Sequence, residues 1–113
     1  MAVRRSKYGV RLDAAGKAAR TVDGKLFHSQ REAKRFVLLR QWERLGQIHE
    51  LQTQPKFPLS IEGVHLGHYV ADFSYRRDGK YVVEDVKGHM TKFSAWKIAH
   101  TEAQYGITVE IVK

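Results

Sequence analysis

The chain has 113 residues, 42% hydrophobic and 28% charged, which suits one globular domain with a real core and is too short for two. It has no cysteine, which excludes disulfides and thiolate metal sites and fits a reducing cytoplasm. No apolar run reaches membrane-spanning length and no signal-peptide core opens the chain, so a membrane partner is not expected.

The net charge of +8 is unevenly placed. Residues 1–49 hold 12 Lys/Arg against 4 Asp/Glu, whereas residues 50–113 hold 8 of each. A basic N-terminal part joined to a balanced remainder suits a polyanion whose phosphates supply much of the affinity. Nucleic acid is therefore favoured over a merely soluble basic surface.

Residues 1–20 read as a basic flexible arm with small residues at Ala14-Ala15-Gly16-Lys17-Ala18-Ala19, and residues 21–113 as a single domain. Arg4, Arg5, Lys7, Arg11, Lys17 and Arg20 would track phosphates, giving salt-dependent affinity without sequence preference. Asp23-Gly24 predicts a small hairpin between Thr21 and Phe27. Ser29-Gln30-Arg31-Glu32 is a capping-box pattern that starts a helix running to about Leu45, with Gly46 past its end. Phe36, Leu38, Leu39, Trp42 and Leu45 form its apolar side, and Glu32 lies beside that side through its spacing to Phe36 and Leu39.

From Ile48 to Ile61 the pattern is extended, with Pro55 and Pro58 favouring an edge or bulged strand and Gly63 a turn. Residues 66–76 and 80–87 form a hairpin about Asp78-Gly79. Thr91 caps a second helix that reaches Tyr105, with Gly106 past its end. Phe93, Trp96, Ala99 and Ala103 read as the core face of that helix rather than as a base-stacking platform. Ile107, Val109 and Ile111 alternate with polar residues as a last strand.

The chemistry concentrates at the central hairpin. With a two-residue loop at Asp78-Gly79, facing residue numbers sum to 157, which sets Asp72 opposite Asp85. Two carboxylates held ~5 Å apart on one sheet face repel, and a divalent cation would resolve the conflict. Lys87, two residues beyond Asp85, points to the same side, whereas Glu84 points to the other. Two acids and a lysine on one patch suit metal-dependent phosphodiester chemistry. A one-residue change of register would turn the acids apart. His65 and His68 lack a cysteine or a second tight pair, which argues against zinc.

Asp72 followed by Asp85-Val86-Lys87 across a hairpin resembles the PD-(D/E)xK nuclease superfamily, within it a small phage and prophage family of uncharacterised endonuclease-like proteins. The likeness covers roughly residues 20–113. It is carried also by Phe27-His28-Ser29 through Glu32-Ala33, Gly46-Gln47-Ile48, Leu51 to Phe57, Asp72 to Tyr75 and Val83 to Gly88. Ala71 stands where the superfamily name has proline, a position that provides no ligand.

The resemblance implies a restriction-endonuclease-like α/β fold, an αβββαβ core with a mixed four-stranded sheet flanked by helices. It implies that Asp72, Asp85, the Val86 carbonyl and Glu32 hold Mg²⁺ or Mn²⁺. Lys87 would orient the attacking water or stabilise the pentavalent transition state, and Gln54 and Lys97 would be auxiliary. The expected activity is DNA endonuclease, on branched or recombining phage DNA in the host cytoplasm, with a homodimer where both strands are cut. From the residues alone the alternatives stay open. Glu32 could serve only its capping box, and the protein could be a non-catalytic nucleic-acid-binding module or an RNA-associated structural protein.

Overall fold

A computed structural model describes residues 13–113. The chain divides into two compact units, one ending at Gln41 and the other spanning Trp42–Lys113. Arg4, Arg5, Lys7 and Arg11 lie outside the described residues.

In the first unit, the small residues of the expected arm form a short helix, α1 (Ala14–Ala19). The reason is local: the Asp13 carboxylate accepts from the Gly16 N–H at 2.8 Å and caps the first turn. Arg20 follows, 6% exposed, and its guanidinium donates to the carbonyls of Gly16, Phe27 and His28. Those bonds commit the group to holding the loop before the next helix, which corrects its reading as a phosphate-tracking residue. Lys17 remains exposed on α1. β1 (Thr21–Val22) and β2 (Lys25–Leu26) make the expected hairpin, with Asp23 and Gly24 at φ 50° and 77° in the left-handed loop that such a turn demands. Phe27 and Phe36 pack with ring centroids 4.9 Å apart.

α2 (Gln30–Arg44) begins where the Ser29 hydroxyl accepts from the Glu32 N–H at 3.1 Å. It ends in a Schellman turn, in which the Gly46 and Gln47 N–H groups reach the Glu43 and Trp42 carbonyls at 3.0 and 2.9 Å. Leu45, expected on the apolar side, is exposed because that turn carries it off the helical face.

The second unit holds a four-stranded mixed sheet. β3 (His49–Thr53), β6 (Phe73–Arg77) and β7 (Lys80–Val86) pair antiparallel, and β8 (Val109–Val112) joins β7 in parallel. A parallel neighbour requires a crossover, supplied by α3 (Lys92–Tyr105). The Thr91 hydroxyl accepts from the Ser94 N–H at 3.0 Å to start α3, and left-handed Gly106 ends it.

The extended stretches on either side of Gly63 differ from expectation. Each is two strands. β4 (Lys56–Ile61) and β5 (Val64–Val70) leave the main sheet as a separate antiparallel pair closed by Glu62-Gly63. The chain turns out at Gln54-Pro55, where Gln54 has φ 54°, and returns at Ala71-Asp72. Two bonds clamp the corner: Gln54 N–H to the Asp72 carbonyl at 2.9 Å, and Ala71 N–H to the Pro55 carbonyl at 3.1 Å. Pro55 lacks a donor, so a corner suits it better than a sheet interior.

One core cluster gathers Phe57, Leu59, Tyr69, Ala71, Val83, Ile98 and Val109. Fully burying one such large side chain contributes about 1.5–3 kcal/mol. α3 lies along the β4–β5 pair, where Tyr105 donates to the Pro58 carbonyl at 2.6 Å and stacks edge-on against Phe57 at 5.3 Å. Its buried residues are therefore Ile98 and Thr101, while Tyr105 at its end stays 40% exposed. Phe93 and Trp96 are 65% and 52% exposed, which corrects their reading as core; Ala99 and Ala103 are exposed too.

Candidate functional site

β6 and β7 pair as the Asp78-Gly79 signal requires, from Phe73↔Glu84 to Arg77↔Lys80, and both turn residues have positive φ, 53° and 74°. One more step would set Asp72 flat against Asp85. The corner at Ala71-Asp72 changes that step. The Asp72 N–H bonds the Glu84 carbonyl at 3.0 Å, and the Asp72 carboxylate accepts from the Val86 N–H at 2.7 Å. Asp72 thus reaches around to the backbone on the far side of Asp85. The two carboxylates share the end of β7 without forming a flat cross-strand pair.

Asp85 is 4% exposed. One of its carboxylate oxygens accepts from the Tyr69 hydroxyl, and the other lies 3.5 Å from Lys87 Nζ. Tyr69 is pushed well above the usual tyrosine range, first by burial, then by its bond to Asp85 and the negative charges of Asp85 and Asp72. Both acids therefore act on one hydroxyl. The end of β7 is fixed from the other side by β8, where the Lys87 N–H donates to the Val112 carbonyl at 2.8 Å.

Tyr69 was not among the residues that sequence singled out for the site. In an unbroken strand it would face away from Asp72, three residues on. The corner at Ala71-Asp72 cancels that rule. Glu84 faces away from the site, as the alternation of β7 requires, and is fully buried with the Tyr75 hydroxyl on it. Tyr75 is likewise pushed above the tyrosine range, by burial first and then by Glu84.

The remaining expected residues are placed differently. Gln54 touches Asp72 through its backbone N–H. Lys97 Nζ donates to the His68 carbonyl at 3.2 Å and lies 4.9 Å from the centre of the Phe93 ring. Glu32, in the first unit, is 5% exposed, and its Oε2 has no hydrogen-bond partner among the described residues. Ser29 caps the helix through the Glu32 N–H, while the reciprocal bond of a full capping box does not occur among those residues.

No group of three or more His, Asp or Glu side chains arranged to hold a metal ion occurs among the described residues. Asp72 and Asp85 nonetheless offer hard oxygen donors at one strand end. Such a set fits Mg²⁺ or Mn²⁺, which are commonly held by one or two carboxylates with water and phosphate completing the shell. No described helix is long and apolar enough to cross a membrane.

No curated protein matches the chain. A family model described as "Protein of unknown function (DUF1064)" matches residues 5–110, almost the whole chain, and the protein belongs to that family.

Proposed function

We propose that this protein is a metal-dependent DNA endonuclease that hydrolyses phosphodiester bonds. The observation that carries the reading is the end of β7, where the Asp72 carboxylate is bonded to the Val86 N–H and Asp85, the residue before Val86, is ion-paired with Lys87. The mixed sheet with a helical crossover between β7 and β8 supports a restriction-endonuclease-like core.

In this reading Asp72, Asp85 and the Val86 carbonyl bind Mg²⁺ or Mn²⁺. A cation held there would supply polarisation of the phosphate and a lowered pKa for a bound water. Tyr69 holds the Asp85 carboxylate in one orientation, so that its free energy is not spent on reordering during the reaction. Lys87 presents its ammonium beside Asp85, where it orients the attacking water and offsets charge developing on the phosphate. The basic excess of residues 1–49 supplies phosphate contacts, with Arg20 excepted. The work is cytoplasmic, and branched DNA cut by a homodimer is the substrate that the analogy with small junction-cutting enzymes suggests.

The test is cleavage of supercoiled, single-stranded and four-way-junction DNA with Mg²⁺, Mn²⁺ or EDTA. We expect cleavage with either metal, none with EDTA, and none by Asp85→Asn, which still binds DNA. Metal-independent binding with no cleavage of any substrate would overturn the proposal in favour of a non-catalytic binding module.

A further inference from the structure

Two large aromatic rings stand out of α3 into solvent. Phe93 and Trp96 are 65% and 52% exposed, lie nearly parallel at 20°, and have centroids 6.2 Å apart. Trp96 continues to the His100 ring at 5.8 Å. Positions 93, 96, 97 and 100 make one helical stripe, so the rings and Lys97 share a surface. Lys97 connects that surface to β5, because its ammonium lies over Phe93 and donates to the His68 carbonyl. The surroundings are cationic. His68 is held below the usual histidine range by the charge of Lys56 first, then by desolvation, Lys97 and His65. His68, whose carbonyl Lys97 reaches, precedes Tyr69, whose hydroxyl is bonded to Asp85, so β5 carries a contact to the surface and one to the candidate site.

Exposed aromatic rings among lysines have a specific use. Every base has a π-face, and stacking on aromatic side chains beside a basic track is how unpaired strands are held without sequence preference. In a duplex those faces are already covered by neighbouring bases. A second copy of this chain is a poorer occupant. A symmetric interface would place the same patch against itself and bring Lys97 toward its own counterpart.

We infer that Phe93 and Trp96, with Lys97 beside them, form a stacking platform for unpaired DNA bases next to the Asp72–Asp85 site. The inference rests on the nucleic-acid part of the proposed function and not on its metal chemistry. The substrate class it names is DNA with a single-stranded segment at the cut.

The test is fluorescence anisotropy with a labelled oligothymidine and a labelled duplex of equal length, in EDTA, so that cleavage plays no part. Single-strand affinity is expected to fall on the order of tenfold for each ring removed by Phe93→Ala or Trp96→Ala, from the usual worth of one base stack. Duplex affinity should change much less, and Trp96→Phe should restore most of the loss. The readout is binding in EDTA, so this outcome stays distinguishable from failure of the catalytic reading, which is read as cleavage with Mg²⁺ or Mn²⁺. Equal single-strand binding by the folded Phe93→Ala/Trp96→Ala variant would overturn the platform. A dimer in sedimentation that is lost in that variant, with oligothymidine binding unchanged, would reassign the surface to self-association.

Discussion

Tyr69→Phe removes one oxygen from a donor–acceptor pair that is almost fully enclosed, since Tyr69 and Asp85 are 5% and 4% exposed. The ring stays and the core volume hardly changes, so packing is preserved and the lost hydrogen bond dominates. A hydrogen bond to a charged group contributes roughly 1.5–3 kcal/mol, and the carboxylate oxygen left behind is buried without its donor. At about 2.1 cal/mol/K of unfolding entropy per residue, a chain of 113 residues loses about 4 °C of Tm per kcal/mol. Tm at pH 7 should therefore fall by roughly 6–12 °C. Thermal unfolding of the wild type, Tyr69→Phe, Asp85→Asn and the double variant measures it, and the cycle should give a coupling of about 1 kcal/mol or more. Cleavage by Tyr69→Phe should fall roughly 10- to 100-fold, as expected when a group that orients a ligand is removed. A Tm within about 2 °C of wild type together with zero coupling would refute the reasoning, because the shift expected of such a bond is several times larger.

Two further outcomes follow from the buried groups. Tyr69 and Tyr75 are both raised above the ordinary value, so the unfolded chain releases these protons near pH 10 while the native protein keeps them. Their contribution is present below about pH 10 and is lost as pH rises toward the folded values, at about 1.4 kcal/mol per pH unit for each tyrosine. Urea unfolding across that alkaline range should show the fall, and Tyr75→Phe or Tyr69→Phe should each remove one tyrosine's share of the slope; an unchanged slope would contradict the assignment. Glu32 carries a buried oxygen without a partner among the described residues, which costs roughly 1–3 kcal/mol, against roughly 0.3–1 kcal/mol gained by an acid in a first helical turn. Glu32→Met should therefore keep or raise Tm, and a clear drop in Tm would make the carboxylate structural.

The ends of the elements were legible because each is set by residues within a few positions of it. Asp78-Gly79, Asp23-Gly24, Thr91, Gly106, Ser29 and Gly46 all act where their side chains or φ angles place them. The register of β6 on β7 followed from one such turn. The corners at Gln54-Pro55 and Ala71-Asp72 were not legible. Bonds between residues 18 positions apart, Gln54 with Asp72, and 16 apart, Ala71 with Pro55, decide where the strands break. A continuous strand and two shorter ones share the same alternation of side chains.

That difference reaches the site. The acids and the lysine were readable from the hairpin, but the way Asp72 meets β7 depends on the corner, and so does the access of Tyr69 to Asp85. Arg20 was misread because charge alone cannot tell a phosphate contact from a guanidinium bonded to its own backbone. Phe93 and Trp96 were misread because an apolar stripe is usually covered, and only the placement of α3 on β4 and β5 decides which of its sides is.

The central claim is that Asp72 and Asp85 together hold a divalent cation. Electron paramagnetic resonance of Mn²⁺ titrated into the wild type, Asp72→Asn and Asp85→Asn, each verified as folded, tests it most directly. The account predicts a saturable Mn²⁺ site in the wild type that is lost or greatly weakened in both variants. Equal Mn²⁺ binding by all three proteins, or none by the wild type even with DNA present, would contradict it.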